Sequence, residues 1–201
     1  QVLFDLIPHF KELSSIDLGG GFKVPYKDGD AETDIPLLAQ KVQEAFAHHP
    51  NPNGKHLQVW FEPGKFLVSG AGYLLSTVNV IKETPSASFL GLDTGFNHLL
   101  RPMFYDAYHK IENASNAGGP LKEYTVVGNI CETDTFASDR SLPETKEGDL
   151  LVFHNAGAYG FEMSSNFNSR LKPAEVMVTD GAAKLIRRRD EFEDLLNNQV
   201  L

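Results

Sequence analysis

The sequence holds a single cysteine, Cys131. No disulfide can therefore form within the chain, and no cysteine-built zinc site can be completed by one subunit. No run approaches the roughly 18 to 20 uninterrupted apolar residues of a membrane span. The first residues lack the basic-then-apolar order of a secretory signal, so a cytoplasmic location and no membrane partner are expected. Positive charge is scarce: 18 Lys and Arg face 27 Asp and Glu, a net charge of -9. That balance argues against a nucleic-acid binder, whose nonspecific affinity comes from neutralising phosphates. The basic run Arg187-Arg188-Arg189 meets Asp190, Glu191, Glu193 and Asp194 at once, which reads as a charge-balanced, solvated surface. The histidines show no close metal-ligand pattern. His48 and His49 are adjacent and diverge at a helix end, His56, His98, His109 and His154 are scattered, and no metal is expected.

What remains is an ordinary globular composition, 41% hydrophobic and 22% charged over 201 residues, enough for a real core in one or two domains. The short apolar segment Ser15-Ile16-Asp17-Leu18 runs into Gly19-Gly20-Gly21. Successive glycines can bring backbone amides close to a phosphate, or can simply turn the chain. Residues 34–48 read as a helix, with Thr33 or Asp34 as cap, Pro36 in the first turn, and Leu37, Leu38, Val42, Ala45 and Phe46 on one face. Asn51-Pro52-Asn53-Gly54 then breaks the chain before the strand Leu57–Phe61, which delivers Glu62-Pro63-Gly64-Lys65 at its tip. Strand, glycine loop, helix, loop, strand is the pattern of a βαβ unit with a parallel sheet. Strand ends in such units carry chemistry, although a Pro-Gly pair can also be mere punctuation.

From about residue 73 the pattern changes to β-rich runs at 73–83, 87–93, 124–130, 149–154 and 174–179. The last is joined through Asp180-Gly181, a hairpin signal, to 183–188. A mainly antiparallel β domain is expected there. The Asn-, Gly- and Ser-rich stretch 113–120 reads as a mobile loop, and Asp190–Asn198 as a short terminal helix burying Phe192, Leu195 and Leu196.

Five segments in order carry a family resemblance: Ile16-Asp17-Leu18-Gly19-Gly20-Gly21; Glu62-Pro63-Gly64-Lys65; Arg101-Pro102-Met103-Phe104-Tyr105-Asp106-Ala107-Tyr108-His109; Cys131-Glu132-Thr133-Asp134; and the stretch from Gly157 to Asn168 that contains Tyr159. Together they resemble the ordered motifs of the diaminopimelate decarboxylases, pyridoxal-phosphate decarboxylases of the alanine-racemase fold. The resemblance implies an α/β plus β fold class: the last strands and helices of a (β/α)8 TIM-type barrel in residues 1–72, then a mainly antiparallel C-terminal β domain in 73–201. It also implies a homodimer whose active sites are shared between subunits. No lysine here matches the family's Schiff-base lysine, and a barrel of this kind needs about 250 residues. The sequence is therefore expected to be the C-terminal half of a decarboxylase, and inactive by itself.

Residue by residue, the resemblance implies that Gly19, Gly20 and Gly21 cradle the phosphate of pyridoxal 5'-phosphate, helped by the N-terminus of a following helix. Glu62 would partner the pyridinium nitrogen, within the loop completed by Pro63 and Gly64. Lys65 stands where arginine is commoner, keeping charge for phosphate and substrate but losing the two-pronged donor geometry. Arg101 and Tyr105 match contacts to the distal end of an amino-acid substrate, with Tyr108 and His109 divided between core and site. Cys131 matches the catalytic cysteine supplied across the dimer, Glu132 the acceptor for the distal ammonium, and Tyr159 a contact to phosphate and substrate. Thr133-Asp134-Thr135 departs from the commoner Ser-Gly-Asp after that glutamate. The implied reaction is decarboxylation of meso-2,6-diaminopimelate to L-lysine and carbon dioxide. A decarboxylase for ornithine, arginine or lysine, and a non-catalytic binding homologue, are the alternatives.

Overall fold

The computed structural model describes residues 2–49, 51, 54 and 56–200. Contacts divide the chain into two compact units, 1–68 and 69–201.

In the first unit, α1 (Val2–Leu6) precedes β1 (Ser15–Asp17), α2 (Ile35–His48), β2 (Gln58–Trp60) and α3 (Gly64–Val68). The two short strands pair in parallel, with Ile16 opposite Val59, so the expected βαβ unit is present. Asp34, not Thr33, caps α2: its carboxylate accepts from the Leu37 amide at 2.9 Å, while the Thr33 hydroxyl is taken by the Lys23 amide at 2.7 Å. Leu38, Val42, Ala45 and Phe46 are half-buried as the helical pattern predicts, but Leu37 is exposed. The edge of the Phe4 ring meets Phe46, centroids 5.1 Å apart, pinning α1 to α2. In the break at 51–54, Pro52 and Asn53 lie outside the described residues; Gly54, at φ 68°, donates to the Asn51 carbonyl.

The second unit contains β3 (Leu74–Glu83), β4 (Ser88–Leu92), α4 (Arg101–Tyr105), β5 (Ile111–Asn113), β6 (Leu121–Val127), β7 (Thr135–Pro143), β8 (Leu150–Phe153), β9 (Glu175–Thr179) and β10 (Ala182–Arg187). Six strands form one sheet in the order β5-β8-β3-β4-β6-β7. Only β4 and β6 run parallel; the other pairs are antiparallel. The edge strands β5 and β7 approach one another, so the sheet nearly closes. Bulges at Val78/Val80 and Tyr124/Val126 supply the local bend that such curling needs. Inside lie Val78, Leu90, Leu92, Leu99, Tyr124, Val126, Phe136, Leu151 and Phe153. The Phe153 ring is fully buried against Phe136, and its truncation to alanine would cost about 3–5 kcal/mol.

β9 and β10 form the expected hairpin. Asp180 (φ 52°) and Gly181 (φ 76°) both take the left-handed conformation that a two-residue turn of this kind requires. Three expectations are corrected. The run 124–130 is displaced to Leu121–Val127, because the Gly128 amide leaves the ladder for the Asp134 carbonyl at 2.7 Å. The first half of stretch 113–120 is tied down: buried Asn113 donates to Thr145 and Asp149 and accepts from the Ser115 and Asn116 amides. The terminal helix shrinks to a 3-10 turn, Phe192–Leu195, with Phe192 and Leu196 exposed. Its first turn is held by a capping box of Glu191 and Asp194 and by a two-pronged Arg188–Asp194 pair, and the polar pair Asn197-Asn198 offers no apolar face to extend it. The basic run is charge-balanced as expected, with Arg187 paired to Glu175 and Arg188 to Asp194.

Candidate active site

In the first unit the glycine turn and the Glu62 loop are brought together by strand pairing. Because β1 and β2 are parallel neighbours, their C-terminal ends open on the same side. Asp17 closes the first loop by accepting from the Gly19 amide at 2.7 Å, which places Gly19 at φ 72°. The Glu62 amide donates to the Gly19 carbonyl at 2.9 Å, and the Glu62 carbonyl accepts from Gly64. Contact is so close that a Cβ on Gly20 would fall 2.5 Å from the Glu62 carbonyl oxygen. Beside Gly19 and Gly21, by contrast, a Cβ would meet nothing within 4 Å. Among the described residues the Gly20 and Gly21 amides donate to no protein acceptor.

The Glu62 side chain is exposed at the same rim. The Lys65 ammonium stands 5.9 Å from the centre of the Tyr26 ring, which turns it toward the loop that follows the glycines. This set offers unengaged amides and an ammonium for an anion, and a carboxylate for a protonated nitrogen. The helix expected to follow the triplet begins only at Ile35, and its first turn is already capped by Asp34.

In the second unit, Cys131 and Glu132 are exposed on a loop rather than buried in a strand. The loop is folded back by Asp134, which is 5% exposed. Its two carboxylate oxygens accept from the Phe96 amide at 2.7 Å and the Ile130 amide at 3.0 Å. Burial pushes its carboxyl above the usual aspartate value, against the pull of those two amides. Asn168 reaches the Cys131 sulfur from its side-chain amide at 3.5 Å, and Arg170 donates to the Asn129 carbonyl at 3.1 Å. The tail of the last motif is thereby drawn against the cysteine loop.

Arg101 opens α4, whose C-terminal residue is followed by Asp106 at φ 51°. That left-handed step returns the chain so that buried His109 meets Arg101, Nε2 to Nη1 at 3.3 Å. Tyr105 is exposed and stacks edge-on against Phe104. Tyr108 lies beneath the Arg140 guanidinium at 3.8 Å. Tyr159 is half-exposed in the left-handed region at φ 61°, an uncommon conformation for a bulky side chain and one that clusters at functional positions. Its loop is seated by Ala156 and Gly157, whose amides donate to the Gly72 and Ser69 carbonyls. A Cβ on Gly160 would strike the Ala156 carbonyl oxygen.

Among the described residues no hydrogen bond joins Cys131, Glu132 and Tyr159 to one another. Sequence reasoning misses Asp134 and Asn168 as supports of the cysteine loop and leaves His109 undecided. The signal for Asp134 was its place in the motif; for Asn168, its place at the end of the Tyr159 motif.

The family described as "Pyridoxal-dependent decarboxylase, C-terminal sheet domain" matches residues 34–157. The diaminopimelate decarboxylase of Methanothermobacter thermautotrophicus is 44% identical over 94% of this chain and 44% of its own length. Among solved structures, the diaminopimelate decarboxylase from M. jannaschi matches with a TM-score of 0.89 at 32% identity, covering all of this chain and 46% of that one. The lysine/ornithine decarboxylase from Vibrio vulnificus matches at a TM-score of 0.67 and 28% identity, over 78% of this chain and 41% of that one. The chain spans just under half the length of the relatives it matches.

Proposed function

The chain belongs to the pyridoxal-dependent decarboxylases with a C-terminal sheet domain, and from that premise we propose that it serves the decarboxylation of meso-2,6-diaminopimelate to L-lysine and carbon dioxide in the cytoplasm. Residues 1–72 supply the last strands and helices of a (β/α)8 barrel, and 73–201 the sheet domain with its substrate and dimer-interface loops. The observation that carries the reading is the exposed Cys131-Glu132 pair, in a chain 44% identical to a diaminopimelate decarboxylase. A lone cysteine is ordinarily a buried hydrophobe. Here it is held outward by a buried aspartate.

The first-unit rim fits pyridoxal 5'-phosphate. The Gly20 and Gly21 amides and the Lys65 ammonium suit its phosphate, and the open space beside Gly19 and Gly21 admits it. The Glu62 carboxylate, on the loop completed by Pro63 and Gly64, suits its ring nitrogen. When bound, the group supplies an electron sink for the bond that breaks, and a carboxylate at the ring nitrogen strengthens that sink.

This chain's residues do the rest. Arg101 and Tyr105 hold the distal carboxylate, Glu132 the distal ammonium, and Tyr159 the phosphate and substrate. The Cys131 thiol, reaching the site of a second copy in a homodimer, returns a proton to the carbon that lost its carboxylate. Paired opposite charges at the far end reject simple diamine precursors, which would leave a buried charge unmatched.

Carbon dioxide release by the protein carrying this chain tests the reading. Release from meso-diaminopimelate and not from L-lysine, L-ornithine or L-arginine is the expected result. Turnover of ornithine or lysine at a comparable kcat/KM would favour the second reading, which Lys65 and the likeness to the lysine/ornithine decarboxylase support. A protein without a visible cofactor band would be the non-catalytic homologue.

A further inference from the structure

We propose that His109 is a positioning residue that fixes the direction in which Arg101 presents its guanidinium to the distal carboxylate; this rests on the role given to Arg101 above. His109 is 2% exposed, and both ring nitrogens face specific partners. Nδ1 lies 2.8 Å from the His154 carbonyl oxygen, and Nε2 lies 3.3 Å from Arg101 Nη1. A carbonyl can only accept and a guanidinium can only donate. One neutral tautomer satisfies both, with the proton on Nδ1 and the lone pair on Nε2.

The imidazole is thus a relay between a strand end and the arginine. The strand end is itself held, because the His154 ring pairs with Glu112 of β5 at 2.8 Å. With one N–H committed to the imidazole, the planar fork of Arg101 has its orientation set before substrate arrives.

The surroundings keep the relay in its working form. Burial acts first on His109, and Arg101 from α4 and Arg140 from β7 add positive charge near it. Together these hold its pKa below the ordinary histidine value, although the His154 carbonyl pulls the other way. A protonated imidazole would turn an N–H toward the guanidinium and lose the acceptor. A residue that merely filled the core would have no need of an acceptor on that side.

The test uses the whole enzyme. His109→Gln retains an acceptor near the Nε2 position, whereas His109→Asn retains only a donor near Nδ1. His109→Asn is expected to raise KM for meso-diaminopimelate about tenfold, the loss of one hydrogen bond to a charged group. His109→Gln should raise it far less, and both should leave kcat and the cofactor absorption band near wild type.

Equal KM values in the two variants and the wild type would overturn the proposal, as would parallel loss of kcat, cofactor and melting temperature. Arg101→Lys separates the two readings. If it leaves KM unchanged, Arg101 does not hold the carboxylate and His109 has nothing to position. If it raises KM, adding His109→Asn should raise it little further, while fully additive effects would defeat the relay. Should His109→Asn fail to fold, His109→Leu, which removes the acceptor at similar volume, takes its place in the cycle with Arg101→Lys.

Discussion

The carboxylate of Asp134 occupies the space that a side chain at residue 128 would need: a Cβ on Gly128 would lie 2.0 Å from Oδ2. The Gly128 amide in turn donates to the Asp134 carbonyl. These contacts close the loop that presents Cys131 and Glu132. Gly128→Ala and Asp134→Asn should each destabilise the protein by about 2–4 kcal/mol, the first by overpacking and the second by turning an amide donor toward an N–H. Both should lower kcat more than cofactor affinity. Chemical denaturation beside steady-state kinetics checks this, and an Asp134→Asn protein of wild-type stability and rate would refute it.

Gly20 gives an independent lever on the first-unit rim. Its α-carbon faces the Glu62 carbonyl so closely that any side chain must push the two loops apart. Gly20→Ala should weaken pyridoxal 5'-phosphate binding by more than about tenfold, a displacement effect at a preorganised site. Gly118→Ala, where an added Cβ meets nothing within 4 Å, is the control and should change nothing. Titration of the apoenzyme with cofactor, followed by visible absorption, reads both.

Much of this architecture is legible in the residues, for local reasons. Asp34 with Pro36 announces the start of α2, and Asp180-Gly181 announces the last hairpin, because each works through its own backbone. β7 is not legible. Its Asp139 adopts φ 52° within a register shift, its edge position tolerates Pro143, and its alternation is broken as a result. The site divides the same way. Glu62 and the glycines can be placed at strand ends by pattern, and parallel pairing then makes them neighbours. Asp134 binds the amide of Phe96, 38 residues away, and no local pattern encodes such a partner. His109 stays divided between core and site in the sequence, because its meaning depends on the His154 carbonyl brought to it by β8.

Tyr159 should be a position where stability and activity separate. A half-exposed aromatic at φ 61° is strained, and nothing in its exposure repays that strain. Tyr159→Asn replaces it with a residue that tolerates the left-handed conformation. The melting temperature should hold or rise, while kcat/KM for meso-diaminopimelate falls about tenfold or more through loss of a polar contact and an aromatic wall. A clear fall in melting temperature would mean that the ring is a packing element instead.

Acid should weaken the sheet unit through two histidines. The His98 ring meets the Thr94 hydroxyl and the Leu171 carbonyl, near Asp93, Arg170 and Arg189. Burial is the main cause lowering its pKa, with the two arginines assisting and the carbonyl bond and Asp93 opposing. His109, between Arg101 and Arg140, is lowered by burial first as well. Above the ordinary value of 6.5 both states are neutral and neither histidine affects stability. As pH falls below 6.5 the unfolded chain takes up protons that the folded one refuses, so stability declines until the depressed folded values are passed. Urea midpoints should therefore be flat between pH 8 and 7 and fall below about 6.5, and the fall should shrink in a His98→Asn, His109→Gln double variant. An identical slope in wild type and double variant between pH 6.5 and 4.5 would refute the assignment to these histidines, because a carboxylate such as Glu112 does not act in that range. The Lys110 and His154 partners of Glu112 hold its pKa low, so its contribution is lost only below the ordinary glutamate value.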